Sequence, residues 1–424
     1  MGKSLKISIS SMLAIPLFLT QFITMPYISW YNLLRYGTIV IVGLYVGRRI
    51  RIVIQKKYFF LNLIALIFSF LTIITSYLNR SRLGDRDPFL ASIPFAVAFL
   101  FFLFYMEIMA EKKKIKRVIE IFLRTSLVVL LITDILIFVA PSLLTLYGNY
   151  FVGTKFEVAY LHILTIILYL SLDLTEKINT YEKILLVILS AWTFFISAYV
   201  DCSTGIVGII VLLLLLLAIK RRELLFLNGK FYCVIQTLCL GFVFFYKFVL
   251  NNSTVEYFVV ELLGRDITLT SRTRIYEIVP ILLTEHNGWM IGMGYGSSYD
   301  LGMRLAGFPD TQNGILEWIW QVGIPTTIIM VLMFAVILTI ASKYMNQRNR
   351  RFLYPLIAGL YLFTILGTVE ITITSMYFSL ALCIIGVAAG TYRDADKNVG
   401  VNRVVSPLSE SIRDGENGYY IRTH

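Results

Sequence analysis

The chain has 424 residues, of which 58% are hydrophobic and 15% charged, with a formal net charge of +12. A soluble domain is closer to half apolar and a quarter charged, and a mean hydropathy of +0.76 lies outside that class. Apolar runs of about 20 residues recur throughout, long enough to cross hydrocarbon as helix, and they are continuous where a β-barrel would alternate.

In chain order, twelve spans are expected at about 7–28, 31–47, 58–78, 89–110, 118–140, 156–174, 184–200, 203–219, 231–250, 313–341, 352–369 and 371–390. The first follows Lys3 and Lys6 and is expected to stay uncleaved, because it is long and lacks a small-residue cleavage site. The run 352–390 is too long for one helix, and Glu370 with its flanking threonines marks the expected turn. Most lysines and arginines gather in segments that alternate with segments poor in them. This is positive-inside bias, so both termini are expected in the cytoplasm, and the basic charge meets anionic membrane lipid, with no nucleic acid implied. The 251–312 stretch, between spans nine and ten, is then one large exoplasmic loop, and its seven carboxylates against four arginines give it a net charge of −3. The expected fold is therefore an all-α polytopic membrane protein. It has a single transmembrane domain over 1–390, including the loop, and a polar cytoplasmic tail over 391–424. The four cysteines are scattered, three of them in apolar runs, which argues against a disulfide framework or a zinc site. No metal or cofactor is expected.

Ionisable residues within spans are costly and become candidates for function. Arg35, Asp134, His162, Lys247, Glu317 and Glu370 are expected in the outer halves of their spans, where they would line a cavity open to the outside or pair between helices. In the loop, 254–264 and 271–285 have helical patterning. Ile275, Ile278, Val279, Leu282 and Leu283 would share one face of the second segment, as on a helix lying on a membrane surface or capping the bundle. Arg272 and Arg274 stand at its start, and arginine is suited to phosphate as well as to lipid headgroups. The glycine-rich stretch 288–296 contains Gly292 and Gly294 but lacks the Lys-Ser/Thr ending of a phosphate loop, so close backbone packing or a lid is expected there. Asp310, Gln312, Asn313 and Glu317 then place polar groups at the membrane mouth. The pairs Asp85/Asp87 and Asp394/Asp396 read as turn and tail residues, and His286-Asn287 as a helix C-terminus.

The order of Arg272, Tyr276, the glycine stretch, Gln312-Asn313, Glu317 and Gly323 resembles the signature region of the O-antigen polymerase and ligase family. Residues 202–205 at the start of span eight are similar to a Ser- and Gly-containing segment of that family. The resemblance implies transfer of a glycan from an undecaprenyl-pyrophosphate carrier onto a lipid-linked repeat unit, in a bacterial cytoplasmic membrane and with a chain-length regulator as partner. Under it, Arg272, Arg274, Tyr276, Gly292, Gly294, Gln312, Asn313 and Arg35 would bind substrate, and Asp310, Glu317 or His162 would serve as base. The ligase branch carries a His-Asn pair where this chain has Gln312-Asn313, and glutamine cannot be a base, which favours a polymerase. The alternatives are an O-antigen ligase and a lipid-linked oligosaccharide flippase or transporter.

Overall fold

The computed structural model describes residues 9–81, 87–142, 148–173, 180–250, 252–257, 260–261, 272–344, 347–372 and 379–388. Helices follow one another with short connectors: α1 Ile9–Met12, α2 Ala14–Gln21, α3 Tyr31–Gly47, α4 Ile50–Val53, α5 Phe59–Leu78, α6 Pro88–Glu111, α7 Ile115–Val139, α8 Lys155–Asp173, α9 Thr180–Tyr199, α10 Ser203–Arg221, α11 Glu223–Phe226 and α12 Gly229–Leu250. Next come α13 Ser253–Tyr257, α14 Arg272–Glu285, α15 Gly288–Ile291, α16 Ser298–Ala306, α17 Gly314–Tyr344, α18 Gln347–Leu366 and α19 Ser379–Ala388. There is no strand among the described residues.

Seven of these helices, α5, α6, α7, α8, α10, α12 and α17, are long and apolar enough to cross a membrane. The protein is an all-α polytopic membrane protein. Of the other expected spans, 7–28, 184–200, 352–369 and 371–390 each fall on a shorter apolar helix, and 31–47 coincides with the 17-residue α3. The 7–28 run is divided between α1 and α2, and α18 ends at Leu366, shortly before the turn expected at Glu370. The tail 391–424 and the pair Asp394/Asp396 lie outside the described residues.

Burial sorts the helices. Residues 102–110 of α6, 158–168 of α8 and nearly all of 352–366 of α18 are buried on every side, the mark of helices surrounded by protein. By contrast α5, α7, α10 and α12 expose large apolar side chains such as Phe70, Leu131, Leu214 and Phe245, a surface that suits lipid and not water. Helix α17 packs against α5 and α12, while α18 packs against α8 and α10, so the two lie in the middle of the bundle. Asp87 accepts from the Phe89 amide at 2.9 Å and caps α6, which fits a turn residue. Asn287 has φ 53° just past α14, the left-handed conformation asparagine tolerates at a helix end.

Candidate active site at the mouth of a broken helix

Helix α17 runs for 31 residues but is interrupted at Gly323, whose φ of 79° and ψ of 169° are not helical. The cause is legible four residues apart. Pro325 has no N–H to give to the Gln321 carbonyl, and its ring would crowd that oxygen. The freed carbonyls are taken up by the glycine-rich stretch: the Met293 amide donates to Trp320 O at 2.6 Å and the Gly294 amide to Gln321 O at 3.0 Å. Such a backbone-to-backbone approach leaves no room for side chains. A Cβ on Gly292 would overlap the Gln321 carbonyl, and one on Gly323 the Met290 carbonyl. Both glycines sit in a region of φ/ψ that is essentially theirs alone. Beyond the break, Ile324–Tyr344 rises about 31 Å, sufficient to span by itself. The 314–322 half is left as a short entry helix carrying polar groups.

The turn before that entry helix is built by its own side chains. Asp310 Oδ1 accepts from the Gln312 amide at 2.8 Å and from Gln312 Nε2 at 2.7 Å, and Gln312 adopts φ 53°. Asn313 Oδ1 caps the helix by accepting from the Leu316 amide at 3.0 Å. Its Nδ2 donates to the carbonyls of Cys239 at 2.9 Å and Thr368 at 3.1 Å, tying α12 to the turn after α18. Glu317 accepts from the Thr311 amide and hydroxyl on one oxygen, at 3.1 and 2.9 Å, and from Gln321 Nε2 at 2.7 Å on the other.

Arg272, the first residue of α14, reaches into this turn. Its Nε donates to Gln312 Oε1 at 2.9 Å and its Nη2 to Glu370 Oε1 at 2.5 Å. One turn on, the Tyr276 hydroxyl donates to Gln312 O at 2.9 Å, and the ring packs against Phe242 and Tyr246 of α12. Residues 275, 276, 279, 282 and 283 form the buried face of α14. Lys247 at the end of α12 pairs with Glu277 at 2.8 Å and fixes the outer side of the same helix.

Two carboxyls here have their pKa raised by burial, one in this turn and one past the end of α18. Burial pushes Asp310 up to about 6, with the neighbouring Glu317 charge adding to it and the Gln312 bonds opposing. Burial also pushes Glu370 up to about 7, against the pull of Arg272. A base is most effective when its pKa lies near the working pH. Asp310 meets that condition with only Oδ1 committed to Gln312, so Oδ2 can face a substrate hydroxyl.

The structure thus gathers Arg272, Tyr276, Asp310, Gln312, Asn313 and Glu317, and with them Glu370, which the sequence marked both as an in-span ionisable residue and as a turn. The others are placed apart from this turn. Arg274, two positions from Arg272 and so on another face of α14, is exposed. Gly292 and Gly294, expected to bind substrate, instead turn their backbone to α17, and close packing is the role the geometry gives them. Glu317, a candidate base, has both oxygens engaged and is buried, which makes it a bracket for the turn. His162 is buried on α8, its Nε2 3.2 Å from Asp134 Oδ1, and Trp192 Nε1 donates to Asp134 Oδ2 at 2.7 Å. This separate cluster joins α7, α8 and α9. Arg35 on α3 has a buried Nε with no protein partner and lies within electrostatic reach of Tyr295, whose ring stacks on Phe95 at 4.5 Å. The pairing of Glu370 with Arg272 had no local signal, because the two lie 98 residues apart along the chain. The Gln321–Pro325 spacing was a signal for the break. No family model matches the chain, and it matches no curated protein and no solved structure.

Proposed function

We propose that the protein is a membrane polysaccharide polymerase. In this reading it transfers a glycan from an undecaprenyl-pyrophosphate carrier onto a lipid-linked repeat unit, on the exoplasmic face of a bacterial cytoplasmic membrane. The observation that supports it best is the pairing of a preorganised arginine with a carboxyl of raised pKa in one turn at a helix mouth. Gln312 holds the Arg272 guanidinium through Nε and so fixes the plane in which its other nitrogens point. A pyrophosphate oxygen would compete with Glu370 for that edge, and a charge-assisted bond there stabilises the leaving group. Asp310 Oδ2 takes the proton of the acceptor hydroxyl as its oxygen bonds to the donor's anomeric carbon. The bond from that carbon to the pyrophosphate oxygen breaks, and the carrier pyrophosphate departs. Arg35, with its uncommitted Nε, and the exposed Arg274 are cations available to further phosphate or headgroup oxygens.

Purified protein in vesicles with a lipid-pyrophosphate-linked repeat unit should build a ladder of longer glycans. Arg272→Ala should slow the ladder by about a hundredfold or more, as for loss of one preorganised donor to developing charge. If wild-type protein leaves the substrate as monomer while passing it across the bilayer, a flippase is indicated and the proposal fails. Transfer of finished polymer to another surface acceptor, without elongation, would instead identify a ligase.

A further inference from the structure

At the opposite, lysine-bearing end of the bundle, α5, α12, α17 and α19 line a groove of about 510 Å³. Its lining includes Lys56, Lys57, Lys230 and Lys343 and contains no carboxylate. Just outside, Glu111 forms an ion pair with Lys57, which also rests 5.0 Å over the Tyr58 ring. Lys56, Lys230 and Lys343 are exposed at the same end.

The rest of the lining is apolar, and it is polarised. Along α17 the wall runs from Lys343 through Ile340 and Val336 to Leu332. That stretch rises about 16 Å at 1.5 Å per residue, close to half of a hydrocarbon core of about 30 Å. Phe60 and Leu332 on the walls are exposed to the surroundings of the bundle, so the groove is open on the side where lipid would lie. Gly229 brings α12 so near α17 that a Cβ there would overlap the Ala335 carbonyl, which gives the groove a fixed floor. Cations at one end and one leaflet's depth of apolar wall below them match the shape and charge of a single kind of molecule.

We propose that this groove is a binding site for an anionic phospholipid of the adjoining leaflet, with the phosphate among the lysines and an acyl chain along α17 toward Leu332. A water-soluble anion would use the lysines but leave the apolar wall empty, and a zwitterionic lipid would fill the wall without bringing net negative charge to the lysines. Charge and depth together select the anionic amphiphile.

The test is native mass spectrometry of the delipidated full chain with dioleoyl phosphatidylglycerol, dioleoyl phosphatidylcholine, or glycerophosphoglycerol, the headgroup without chains. Phosphatidylglycerol should bind at least tenfold more tightly than the other two. The K56Q/K230Q/K343Q variant should lose about a hundredfold in affinity at the usual gain per basic residue near a lipid surface. Leu332→Trp, which fills the apolar end, should weaken the lipid while leaving the thermal midpoint in phosphatidylcholine unchanged. Equal binding of the two lipids, undiminished binding by the triple variant, or headgroup binding as strong as lipid binding would each overturn the proposal.

Discussion

Two polar clusters sit in the same bundle, and they differ in what they leave over. At the first, Arg272, Asp310, Gln312 and Glu370 meet where helices end, on turns held by backbone and side-chain bonds. One oxygen of Asp310 is uncommitted there. At the second, His162, Asp134 and Trp192 meet between three continuous helices, and both oxygens of Asp134 are taken. Both are costly to place in an apolar interior. Only the first holds an arginine beside a carboxyl oxygen left open, and this is why the proposed chemistry is placed there. A closed network is explained by helix packing.

The sharpest way to break that comparison is Asp310→Asn. If Asp310 takes the acceptor proton, the substitution should slow elongation by about 10²–10⁴-fold. The amide keeps the oxygen that Gln312 needs, so the protein should still fold and reach the membrane. The same group sets a pH dependence whose sign is fixed. Its pKa is raised to about 6, and the carboxylate is the form that accepts a proton. Elongation by the wild type should therefore rise as pH increases through about 6 and level off above it, and Asp310→Asn should lose that rise. Glu317→Gln tests the contrast within the turn. It should lower the thermal midpoint by weakening the bracket around Thr311 and Gln321, and keep the pH rise but move it to lower pH, because the Glu317 charge no longer lifts Asp310. A lost rise would move the base to Glu317.

Much of this was legible in the sequence, and the remainder failed for physical reasons. Apolar run length located the long helices, because crossing hydrocarbon demands it. The 3.6-residue pattern of 271–285 located α14 and most of its buried face. Asp310, Gln312 and Glu317 could be picked out as polar groups leading into an apolar run, and Arg272 as an arginine at the start of a helical pattern. Their division of labour could not, since it depends on which oxygens are already bonded. Glu370 and Asp134 act through partners on distant helices, and no short-range pattern encodes such pairings. The glycines of 288–296 suggested close approach, but that the surface approached is the broken turn of α17 follows only once Pro325 is set four residues after Gln321.

That broken turn holds up the first cluster, which makes Gly323 the next largest test. An alanine there must adopt a conformation almost confined to glycine and push the Met290 carbonyl away. Loss of roughly 3 kcal/mol of stability is expected, seen as a lowered midpoint of thermal unfolding in detergent. Elongation should fall as well, because the entry helix bearing Asn313 and Glu317 would shift against α14. Unchanged stability would mean that the docking of 288–296 on α17 is dispensable.

The second cluster supplies the smallest effect and the other half of the comparison. Trp192→Phe removes one hydrogen bond to Asp134 while preserving ring packing against Phe138 and Phe195. Because Trp192 is partly exposed, the loss should be only about 1 kcal/mol. His162→Ala should cost more, since it opens a cavity and leaves the buried Asp134 with one partner fewer. In both variants the rate of elongation per folded molecule, and its rise through about pH 6, should match the wild type. If His162→Ala instead abolished elongation at wild-type folding yield, the closed network would be the catalytic one, and the rule that an uncommitted oxygen marks the chemistry would fail for this protein. Equal rates would confine the chemistry to the turn where α14, α17 and the end of α18 meet.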